Sequence, residues 1–112
     1  LQSLLMTPRT QSQWVREWLE WEPEKVLFGT DAYPLSDELG WPESAWIASR
    51  NEREALGIAL TGMLEDGEIS RQRAGELIRM VLHGNAEALY KLPPTKRPVE
   101  YAGPRSTNSP AK

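Results

Sequence analysis

Asp31 is the residue of this chain best placed to do chemistry. It closes the run Lys25-Val26-Leu27-Phe28-Gly29-Thr30-Asp31, in which a short apolar stretch gives way to a carboxylate. A carboxylate just past a buried strand can take a proton from water or hold a cation. The same residue can also serve more simply as a turn former or helix cap. His83 is the single histidine, and there is no cysteine. Thiol catalysis, disulfides and cysteine-based zinc fingers are therefore excluded. His83 falls in the last turn of an expected helix, where a cation complements the dipole. Asn85 reads as the N-cap of the next helix. Tyr33, Trp41, Glu43 and Trp46 could shape a substrate pocket beside Asp31, or could be loop-packing and capping residues.

The elements that would position these groups follow from periodicity. Trp14, Trp18 and Trp21 recur at helical spacing with Val15 and Leu19, which predicts an amphipathic helix over 11–21, capped by Thr10. Glu22-Pro23-Glu24 ends it. The dense apolar run from Lys25 to Gly29 does not alternate with polar residues, and so reads as a strand buried on both faces. Tyr33-Pro34, Leu39-Gly40 and Trp41-Pro42 mark a loop. A long helix is expected from Pro42 or Glu43 to Glu65, with Ala55, Leu56, Ala59, Leu60, Met63 and Leu64 as its apolar stripe, stopped by Asp66-Gly67. Ser70 caps the next helix, whose face is Ala74, Leu77, Ile78, Val81 and Leu82. Gly84 suits a left-handed terminus and Ala86 to Leu92 a short last helix, with Leu89 and Tyr90 in the core. Pro93-Pro94 stops it. The predicted domain is 1–92, followed by a disordered tail, 93–112.

Composition sets the limits. The chain has 112 residues, 39% hydrophobic and 26% charged, enough for one small core. No run approaches the roughly 18 apolar residues of a spanning helix, and Leu1 to Met6 is too short for a signal peptide. The default location is the cytoplasm, without a membrane partner. The net charge of −3 divides into +3 on the tail and −6 on the body. An acidic body argues against nucleic acid, which requires a basic footprint. Ser70 to Tyr90 loosely has the outline of a helix-turn-helix, but an αα-corner explains it as well.

Two segments read together go further. The first is Val26-Leu27-Phe28-Gly29-Thr30-Asp31. About fifty residues later comes Asn85-Ala86-Glu87-Ala88-Leu89-Tyr90-Lys91-Leu92, directly before the prolines. The pair, "FGTD" and "NA..LY.L" in this order, resembles the C-terminal end of the amidohydrolase superfamily, in the amidohydrolase-related (type 2) branch, over roughly 14–92. The resemblance implies an α/β fold, a C-terminal fragment of a (β/α)8 TIM barrel consisting of its last strand and following helices. It implies that Asp31, at the end of that strand, is both catalytic residue and metal ligand. In such an enzyme a divalent metal, zinc above all, lowers the pKa of bound water to about 7, and the carboxylate shares its proton. Gly29 would admit close backbone approach and Thr30 would orient the carboxylate. Hydrolysis and decarboxylation of a small-molecule substrate are both within the branch, and the substrate-binding residues are not readable.

The departures matter equally. The family's His-x-His pair and further histidines have no counterpart here, and only 24 residues precede Lys25, whereas a barrel takes about 250. The chain alone is expected to be mostly helical, catalytically incomplete and without a cofactor of its own. Its lone strand must pair with another copy or the missing barrel portion, collapse onto the helices, or stay dynamic. The alternative reading is a small helical interaction module using the Trp14, Trp18 and Trp21 face.

Overall fold

The computed structural model describes residues 6–93. Four helices form in the order α1 (Pro8–Trp21), α2 (Trp41–Glu65), α3 (Arg71–Arg79) and α4 (Asn85–Tyr90), with a 3-10 turn at Pro23–Lys25 and a wide π-helical turn at Met80–Gly84. There is no strand among the described residues. The barrel fragment with a final strand is therefore overturned: this is a small all-helical chain. The reason is physical. A strand is held by a neighbour about 4.8 Å away that exchanges backbone bonds with it, and no second extended segment is at hand. The Val26–Gly29 run instead settles on the helices.

α1 begins one turn earlier than expected. Thr7, not Thr10, is the cap: its hydroxyl accepts the Thr10 N–H at 3.3 Å, and Pro8 follows at the first helical position, where a missing N–H costs nothing. The helix stops ahead of Pro23, whose ring would clash with a preceding helical turn. Its buried face carries Gln11, Ser12 and Leu19, with Val15 packed on the core. The tryptophans lie on the adjacent face and stay open, Trp21 at 86% exposure.

α1 lies along α2, the largest contact between elements. Gly62 on α2 lets Arg16 reach across, since a Cβ there would stand 3.1 Å from its guanidinium. That guanidinium bonds Glu20 at 2.8 Å and Asp66 at 2.5 Å, and also Glu68. α1 is thereby tied to the turn after α2. The turn is built as expected. Gly67 adopts φ +73, and the Glu68 N–H returns to the Met63 carbonyl at 2.9 Å, which satisfies the open carbonyls at the helix end. Ser70 then caps α3 by accepting the Arg73 N–H at 3.1 Å.

The core is Leu19 from α1, Leu56, Leu60 and Met63 from α2, Leu77 from α3 and Val81 from the wide turn. Val26 and Phe28 pack against it from the irregular segment. Of the expected apolar face, Ile78 is displaced outward and is 40% exposed. Gly84 is helical, with φ −61; the left-handed terminus falls at Lys91, φ 51. Leu89 and Tyr90, expected in the core, are exposed. The expected disordered tail lies outside the described residues apart from Pro93.

Candidate functional site

Asp31 sits in the irregular stretch between the 3-10 turn and α2. The segment before it is anchored at three points. The Phe28 N–H donates to the Val81 carbonyl at 3.0 Å. The Asn85 side-chain amide donates to the Pro23 carbonyl at 2.7 Å and to the Val26 carbonyl at 2.8 Å. Asn85 is buried, and its side chain makes no cap bond to α4. The expected capping role is replaced by a tertiary one across 59 and 62 residues of sequence.

The anchoring depends on the wide turn. In an unbroken α-helix the Val81 carbonyl would accept from the N–H four residues on, which is Asn85. Here the Asn85 N–H bonds Met80 instead, leaving the Val81 carbonyl to receive Phe28. Single π-helical turns of this kind recur at functional positions.

Asp31 itself is exposed and has φ 45. Aspartate tolerates the left-handed region better than most side chains because its short carboxylate can bond locally. It makes no hydrogen bond or ion pair with another described residue. The space beside Gly29 is open, so no close approach within this chain requires a glycine there. His83 pairs with Glu87, Nε2 to Oε1 at 2.9 Å, one turn along the same helical run. Among the described residues no group of three or more histidine, aspartate or glutamate side chains could hold an ion. Asp31 offers a single carboxylate, and the described residues do not fit a metal by themselves.

The expected pocket residues Tyr33, Trp41, Glu43 and Trp46 are all exposed. Trp46 lines a shallow groove with Ser49, Arg50 and Arg53, with the Arg50 guanidinium 5.7 Å from its ring centre. Arg53 lies 5.3 Å from the Phe28 ring, a cation–π contact that covers one face of the irregular segment. A larger groove of about 500 Å³ opens between Trp18, Trp21, Val26 and Leu27, with Glu22 and Lys25. No helix among the described residues is long and apolar enough to cross a membrane. No family model, curated protein or solved structure matches the chain.

The sequence singles out Asp31 and both segments as candidates but not the bond network joining them. The one signal for it is Asn85 at the head of the second segment, a polar residue that helix capping explains as well.

Proposed function

We propose that this chain is the C-terminal portion of a metal-dependent enzyme of the amidohydrolase type, cytoplasmic and catalytically incomplete alone. Its own contribution is the Asp31 carboxylate, a proton acceptor and ligand whose metal-binding partners lie outside this sequence. One observation carries the reading. The two segments that resemble the family, about fifty residues apart, are in direct contact: Asn85 of the second holds the backbone of the first at Val26, and that of the turn just before it at Pro23. Two stretches that resemble the family in its order and also bond to each other support reading them as one device. The chemistry is hydrolysis or decarboxylation of a small molecule through a metal-activated water.

The test starts with the DNA upstream of Leu1. An in-frame extension carrying His-x-His supports the reading, and a stop codon directly ahead removes it. The extended protein should then hydrolyse amide or ester substrates only with divalent metal, and Asp31→Asn should lower turnover by orders of magnitude, as loss of a proton acceptor does. Unchanged turnover in that variant would remove Asp31 from the chemistry.

The exposure of Trp14, Trp18 and Trp21 favours a second reading, a helical interaction module using that face. Its mark would be a partner lost on Trp18→Ala with Asp31 irrelevant.

A further inference from the structure

Arg16 and Arg73 hold their guanidinium groups against carboxylates. Arg50 and Arg53 of α2 do not. Each lies instead on an aromatic ring, Arg50 at 5.7 Å from the centre of Trp46 and Arg53 at 5.3 Å from that of Phe28. Trp46 and Arg50 are one helical turn apart, as are Ser49 and Arg53, so the four side chains meet on one face of α2. They line a groove of about 340 Å³.

An aromatic face holds a guanidinium by its charge and uses none of its N–H donors. Arg53 gives its Nε–H to the Ser49 hydroxyl at 3.4 Å. Its remaining donors, and those of Arg50, meet no acceptor among the described residues. The rings also hold the two groups in place, so less side-chain freedom is lost when a ligand binds. A guanidinium fork with open donors is shaped for an oxyanion, which takes two parallel N–H bonds from it.

We propose that this face binds the phosphate group of a small phosphate monoester, with the organic remainder against Trp46. Two forks suit a phosphate better than a carboxylate. A phosphate monoester offers three acceptor oxygens and a charge of about −1.5 to −2 near pH 7, whereas one guanidinium satisfies a carboxylate. Size and charge set the rest. The groove falls at the small end of ligand pockets, which run from about 300 to 1,000 Å³. A body carrying −6 repels an extended polyanion, which leaves a small ligand held locally. Trp46 is 64% exposed, so its ring keeps surface beyond what Arg50 covers. The inference rests on α2 and Phe28 and stands whether or not the enzymatic reading does.

Titration of the 112-residue chain with phenyl phosphate tests it, followed by nitrogen–proton NMR at fixed ionic strength. Saturable shifts are expected at the Trp46 indole and at the Arg50 and Arg53 Nε–H groups. Inorganic phosphate should bind the same groups more weakly, because it leaves the ring uncovered. Arg50→Gln and Arg53→Gln should each weaken phenyl phosphate about tenfold or more, as loss of charge-assisted bonds does. Arg71→Gln, at the start of α3, should leave binding unchanged. All three positions are exposed, so the fold should survive each substitution. Benzoate, with the same ring and one charge, should bind about tenfold more weakly than phenyl phosphate. Shifts that never saturate, binding unchanged in both Arg50→Gln and Arg53→Gln, or benzoate or inorganic phosphate as tight as phenyl phosphate overturn the proposal.

Discussion

The Phe28 N–H meets the Val81 carbonyl at 3.0 Å because Asn85 has turned its own N–H to Met80. The Asn85 side chain then reaches back to the same segment, at Pro23 and Val26. A single residue thus both frees an acceptor in the helix and holds the chain that uses it. The 3-10 turn, the apolar run and the start of the Asp31 loop are fastened to one helical corner.

Removing that amide should loosen the segment more than the helices. Asn85→Ala deletes two bonds to part-buried carbonyls, and each unsatisfied group costs toward the low end of about 1–3 kcal/mol. Denaturant unfolding should report a loss of about 2 kcal/mol by that reasoning. Amide exchange at Phe28 should accelerate while Leu56 and Leu60 stay protected. Asn85→Asp should be worse, because it sets an acceptor against two acceptors. Unchanged exchange at Phe28 in Asn85→Ala would show that the core contacts of Val26 and Phe28 hold the segment alone.

Local signals along the chain were readable and tertiary choices were not. Ser70, Gly67 and the long α2 stripe follow from capping, left-handed geometry and helical period, each decided within a few residues. The Val26–Gly29 run has the composition of a buried strand, but whether it becomes one depends on a neighbour that no local pattern supplies. The tryptophans on α1 define the most apolar face, yet the buried face of that helix carries Gln11, Ser12 and Leu19. Asp31 was legible by its position after the run. Asn85 was legible only as a polar residue at a helix start, since a bond spanning 59 residues leaves no trace in local spacing.

Gln11 presents a different opportunity. It is only 2% exposed, and its Oε1 has no hydrogen-bond partner among the described residues. A buried acceptor without a donor keeps its full desolvation cost. Gln11→Met has similar length and no polar atoms to satisfy, and should raise stability by about 1 kcal/mol. Thermal unfolding would show this as a higher midpoint. A lower midpoint would mean that the amide nitrogen makes contacts worth more than the orphaned oxygen costs.

The acid side of the stability profile should carry a contribution from α3. Glu76 is held below its ordinary value of 4.5, first by the hydrogen bond from Arg73 at 3.1 Å and then by Gln72 at 3.2 Å. A carboxyl with a depressed folded-state pKa binds fewer protons folded than unfolded. Its contribution is therefore present above the ordinary value and is lost as pH falls through the folded one. The group is partly exposed, so the effect is small and salt-sensitive. The stability difference between wild type and Glu76→Gln should be largest near neutrality and shrink below pH 4.5. A difference that does not change with pH would assign the loss to packing.

Asp31 should behave as a residue kept for chemistry and not for the fold. It is exposed, makes no bond with another described residue, and sits at φ 45, where an aspartate gains nothing over glycine. Asp31→Asn keeps the size and the left-handed tolerance while removing the charge, and should leave stability within about 0.5 kcal/mol. Asp31→Gly removes the side-chain clash of the left-handed region, so stability should stay level or rise, by up to about 1 kcal/mol. Asp31→Val should cost more than either, because a β-branched side chain is the poorest occupant of that region. The order Gly, Asn, Val in denaturant midpoint follows from backbone geometry alone. A large loss in Asp31→Asn would instead mean that the carboxylate supports the loop, and the case for a free catalytic group at this position would fall with it.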